Sequence, residues 1–76
     1  MSNISRNDRK KEAFSRLAAQ RTNGVLERLR ILGNCANRQL YDYSDEDVKR
    51  IFGALEKELR LVKAKFLNSR RPDFTL

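Results

Sequence analysis

The sequence predicts an all-α protein, a long antiparallel αα-hairpin. Three observations carry that reading. Apolar residues recur at spacings of three and four in two long segments, 8–32 and 45–69, as one face of an α-helix requires at about 100° per residue. Glycine and serine stand where those segments end and begin. An eleven-residue stretch, 33–43, lies between them with neither pattern, long enough to let the chain fold back.

The first segment opens after a polar stretch, residues 1–7, expected to fray. Asn7 or Asp8 can cap a helix that enters through Arg9, Lys10, Lys11 and Glu12. Phe14, Leu17, Ala18, Val25, Leu29 and Leu32 then share one face. Thr22-Asn23-Gly24 is its weak point, because glycine in a helix interior costs about 1 kcal/mol against alanine. A turn there would make three helices. The phase of the apolar face across Gly24 favours one helix, and Gly33 is the expected C′ residue that stops it.

Ser44 is the expected N-cap of the second segment, with Asp47 three residues on as a weaker form of the capping box. Tyr43 and Val48 hold the positions of a hydrophobic staple. Asp45, Glu46 and Asp47 put negative charge where the helix dipole favours it, and Lys63 and Lys65 suit the other end. Val48, Phe52, Leu55, Leu59, Val62 and Phe66 alternate by four and three with Ile51 beside them, a stripe of coiled-coil character. Pro72 ends the segment. Folded antiparallel, the hairpin sets Phe14 toward Phe66 and Leu32 toward Val48. Leu26, Ile31, Ala54, Leu61 and Leu67 fall off these stripes and form a second apolar surface. A homo-oligomer, such as a dimer making a four-helix bundle, or a partner is therefore expected to complete the fold.

Composition narrows the function. The chain has 76 residues, enough for one domain, with a single cysteine, Cys35, and no histidine. An internal disulfide and a His/Cys zinc site are excluded. The lone cysteine and the lack of a signal-peptide pattern imply a reduced, cytoplasmic setting, and no apolar run approaches the length of a membrane span. Without histidine, and with no base to activate Cys35, acid–base or nucleophilic catalysis has no machinery. The three glycines, 24, 33 and 53, form no phosphate loop. Asp45, Glu46 and Asp47 are better explained by capping than by metal, and Cys35 by packing inside the bend. The expected protein is not an enzyme and uses no cofactor, metal or small-molecule substrate.

Charge carries the positive signal. The net charge is +7 with a pI of about 10.2, a balance that favours acidic partners such as nucleic acid or a nucleoprotein. Residues 1–30 hold eight Lys/Arg against three acids, whereas 44–67 hold six against five. The excess lies on the first helix and at Arg70-Arg71. Arg9 and Arg16 share a face with Gln20 and Asn23. Lys10, Arg21 and Arg28 share another, beside Leu17 and Val25. Either row suits a phosphate backbone; a solvated face that serves solubility has the same composition. Arg21 falls inside the apolar stripe, where it must snorkel, pair with Glu58 or Glu56 across the hairpin, or reach a partner. In the bend, Asn34 and Asn37 suit left-handed or tightly turned backbone. Tyr41 and Tyr43 alternate as in an extended strand and could stack on bases, anchor an interface, or cover the end of the bundle. The tail Phe74-Thr75-Leu76 has the form of a sheet-edge ligand, a pattern short enough to arise by chance.

The run RLAAQRTNGVLERLRILGNCANRQLYDYSDEDVKRIFGALEKELRLVKAKF, residues 16–66, carries Arg21-x-Asn23, Leu32-Gly33-Asn34 with Asn37, Tyr41-x-Tyr43, Asp47-Val48, Ile51-Phe52 and Lys65-Phe66. In these it resembles small uncharacterised helical proteins of bacteria, phages and mobile elements, over about two-thirds of the chain. The resemblance implies a bacterial or phage setting, no enzymatic activity, and a packed unit of Arg21 and Asn23 with the bend. Small phage proteins commonly bind a host or defence complex, CRISPR effectors among them. By that analogy the resemblance implies a regulator or inhibitor of a nucleic-acid or nucleoprotein complex. The competing class is a protein–protein module that makes no nucleic-acid contact.

Overall fold

The computed structural model describes residues 6–69. They form two helices, α1 (Arg6–Gly33) and α2 (Asp45–Asn68), and contain no strand. The all-α, two-helix organisation with an eleven-residue connection, 34–44, is the one expected of the helical hairpin. The chain divides into two units, one ending at Tyr41 and the other beginning at Asp42. Among the described residues no helix is long and apolar enough to cross a membrane.

In the first unit, α1 spans 28 residues without interruption, about 42 Å at 1.5 Å per residue. Continuity through Thr22-Asn23-Gly24 follows from the apolar phase that Phe14 and Ala18 share with Val25, Leu29 and Leu32. The helix starts earlier than expected. Arg6 and Asn7 are helical and not frayed, and Asp8 lies in the first turn, where its charge opposes the dipole.

The end of α1 also departs from expectation. Gly33 is inside the helix, and no described residue, glycine or otherwise, has a positive φ. A left-handed C′ residue is not used. The last carbonyls are instead taken up by tightened i→i+3 bonds: Asn34 N–H donates to Ile31 O, Cys35 N–H to Leu32 O and Ala36 N–H to Gly33 O, each at 3.0 Å. The chain then turns on Asn37, whose N–H donates to Cys35 O at 2.8 Å. Its carbonyl accepts from Leu40 at 3.2 Å and Tyr41 at 2.9 Å, and its side-chain Oδ1 accepts from Gln39 N–H at 3.0 Å. Asn37 thus organises the bend through its amide, as an Asx turn does, without left-handed backbone.

In the second unit, the Ser44 backbone is extended and its Oγ accepts from Asp47 N–H at 3.1 Å, while Asp47 Oδ2 accepts from Ser44 N–H at 2.9 Å. This is the reciprocal capping box. Hydrogen bonds from the Ser44 backbone, and then from its side chain, hold the Asp47 carboxyl below the usual carboxylate value. Tyr43 and Val48 are half-buried among exposed neighbours, where a hydrophobic staple places them. At the other end, Ser69 N–H donates to Lys65 O at 3.1 Å and Ser69 Oγ donates to Phe66 O at 3.1 Å, closing the last turn.

Neither unit contains a core of its own. No described residue is buried. Along α1, Phe14 is 57% and Val25 59% exposed; along α2, Phe52 is 51% and Leu59 56% exposed. Both apolar stripes are built, and both face outward within their own units.

Two outcomes follow. A Cβ added at Gly24 or Gly33 meets nothing within 4 Å. Gly24→Ala and Gly33→Ala should each raise stability by about 0.5–1 kcal/mol in thermal melts; a loss at Gly33 would restore the left-handed cap. The capping box predicts a pH dependence. Asp47 has a depressed pKa, so its contribution is complete above the ordinary carboxylate value and is lost as pH falls through its lower folded value. Circular dichroism should therefore show a helicity loss below about pH 4 that is smaller in Asp47→Asn.

Candidate nucleic-acid interface

The cations of α1 are positioned by a single continuous helix, so their spacing is set by helix geometry. Lys10, Arg21 and Arg28 are eleven and seven residues apart, about 17 Å and 10 Å along the axis. All three are exposed. Among the described residues none of the three makes an ion pair. The three acids of α1, Asp8, Glu12 and Glu27, all fall on other sides of the helix by the 100° rule.

The second row is different. Arg16 Nε donates to Glu12 Oε1 at 3.3 Å, an i,i+4 pair, and Glu27 falls on the same side of the helix about 17 Å further along it. Arg30 is likewise held by Glu27 at 3.0 Å. Such exposed pairs add little stability, but they place negative charge on that face. Of the two rows read from the sequence, Arg9–Arg16 is partly neutralised and Lys10–Arg21–Arg28 is not.

Arg21 is exposed and in no ion pair among the described residues. It sits between Phe14 and Val25, which are themselves exposed, so the stripe it interrupts is open at that height. The packed unit of Arg21 and Asn23 with the bend does not form. An unbroken α1 separates Asn23 from Asn34 by eleven residues, about 17 Å, and Arg21, Asn23 and Asn34 are exposed.

In the bend, Tyr41 is 53% exposed, with its backbone tied to Asn37. Tyr43 is half-buried at the α2 cap, so only Tyr41 offers an open ring. Cys35 is free and exposed, not packed inside the bend. The bend is a run of short local hydrogen bonds, and nothing in it covers the thiol. Arg70 and Arg71 lie outside the described residues, as do the segments 1–5 and 72–76.

Arg6 was not legible as a site residue, because the segment before Asn7 reads as frayed. With α1 beginning at Arg6, this side chain stands one turn before Lys10 and near its row. The signal available was the serine at position 5, a preferred capping residue directly ahead of it.

No family model matches the chain, and neither does any curated protein or solved structure.

The exposure of Cys35 gives a direct check. The native protein should react with a thiol reagent as fast as it does in denaturant, and Cys35→Ser should leave the melting temperature within about 1 °C, as for a surface substitution. Strong protection of the thiol in the native state would mean that the bend is covered.

Proposed function

We propose that this protein is a small non-enzymatic binding protein that engages a nucleic acid or nucleoprotein complex through α1. The observation that carries the reading is the row Lys10–Arg21–Arg28, exposed, without ion pairs among the described residues and on a side of the helix that bears no acid. Arg6 extends it, and Arg9, Arg16, Tyr41, Arg70 and Arg71 are secondary contributors. Cations spaced along one continuous helix can follow a phosphate backbone, with affinity drawn from counterion release and little base readout. The protein acts in the cytoplasm, self-associates, and regulates or inhibits a host complex in a phage or mobile-element setting. A CRISPR effector is one such complex.

The exposed apolar stripe of α2 supports a second reading, a protein–protein module in which charge serves solubility alone. Salt separates the two. Binding to a DNA or RNA duplex should weaken by orders of magnitude between about 50 and 200 mM salt. Lys10→Ala, Arg21→Ala and Arg28→Ala together should reduce the slope of log K against log salt by about 3, and Arg9→Ala with Arg16→Ala by less. Absence of any mobility shift with DNA or RNA at low salt would overturn the nucleic-acid reading.

A further inference from the structure

No residue of the α2 apolar stripe is buried within its own unit, and its flanking charges constrain how a second copy can cover it. Val48, Phe52, Leu55, Leu59, Val62 and Phe66 are spaced by four, three, four, three and four, all inside α2. In heptad terms Phe52, Leu59 and Phe66 take the a positions and Val48, Leu55 and Val62 the d positions. The seam is then edged by Ile51, Glu58 and Lys65 at g and by Lys49, Glu56 and Lys63 at e. Among the described residues, Glu56, Glu58 and Lys63 make no ion pair.

We infer that the occupant of this stripe is the α2 of a second copy of the chain, parallel and in register. In that arrangement a g residue meets the e residue of the following heptad on the other helix. Glu58 then meets Lys63 of the second copy, twice by symmetry, and Ile51 lies beside Glu56. All six apolar layers are kept. The antiparallel arrangement with the same overlap sets Glu58 against Glu58, Glu56 against Glu56 and Lys49 against Lys63, so both edges carry like charges. Sliding it by one heptad relieves the edges but leaves two of the six layers unpaired. Exposed ion pairs offset little of a lost apolar layer. Within the described residues, charge and burial therefore favour the same answer, the parallel pair.

This arrangement rests on the self-association proposed above and adds its segment, direction and register. It also bears on the basic helix. A parallel pair starts both α2 helices at one end, so both copies of α1 join the assembly from that end. An antiparallel pair would join them at opposite ends.

The test uses the full chain. In a Cys35→Ser background, Val62→Cys should yield a disulfide-linked dimer in high yield under mild oxidation, because in-register d residues face each other within disulfide reach. With antiparallel full overlap the two positions are about 15 Å apart along the axis and cannot link. A charge exchange provides a second reading that leaves the apolar stripe intact. Lys63→Glu should weaken the dimer about tenfold in sedimentation, and adding Glu58→Lys should restore it. A helical monomer at high concentration would overturn the self-association and this arrangement together, leaving the stripe to α1 of the same chain or to another protein. A dimer that fails to link through Val62→Cys, and that Lys63→Glu strengthens, would overturn only the parallel direction.

Discussion

The rest of the structure depends on one constraint: two long helices carry apolar stripes that their own units do not bury. Most helical stability in proteins comes from packing the apolar face and not from propensity. Capping, dipole compensation and i,i+4 pairs are present, but each contributes a fraction of a kcal/mol to about 1 kcal/mol. Covering a leucine or phenylalanine that is half exposed, as Leu59 and Phe52 are, contributes more than any of them. The persistence of α1 and α2 is therefore tied to whatever closes over the stripes.

The two helices divide the remaining work. α2 is nearly neutral and has a narrow, strictly spaced seam with a capping box at its start and a serine closing its end. Those are the features of an element that must hold register. α1 is basic, its apolar face is interrupted by Arg21, and its acids are spent on Arg16 and Arg30 or sit in the first turn. Those are the features of an element that presents charge. The proposed assembly through α2 and the proposed recognition through α1 are compatible because they use different residues, and self-association would double the number of basic rows without any new contact.

Much of this was legible in the sequence, and the failures share a cause. The start of α2 could be placed to the residue because Ser44, Asp47, Tyr43 and Val48 form a local pattern whose hydrogen bonds close within four residues. The continuity of α1 through Gly24 could be read because one open position costs less than losing the phase of five apolar ones. Gly33 was misleading for a physical reason: a glycine after an apolar run allows a left-handed cap but does not require one, and the tightened bonds to Ile31, Leu32 and Gly33 satisfy the same carbonyls. Cys35 has the size and polarity of a packed residue, whereas a bend built from consecutive local bonds has no interior to hold it. The basic rows were legible as rows. That only one of them is free of acid required the pairing of Arg16 with Glu12.

The concentration dependence of helix stability tests most directly whether a second copy covers the α2 stripe. Circular dichroism melts of the full chain should be recorded across about a hundredfold dilution, at a salt concentration high enough to screen surface charge. If a second copy covers the α2 stripe, the melting temperature should fall continuously with dilution, as it must for a folded state linked to association. A high helicity and a melting temperature that do not change over that range would contradict the account, and would mean that the chain covers its stripes by itself.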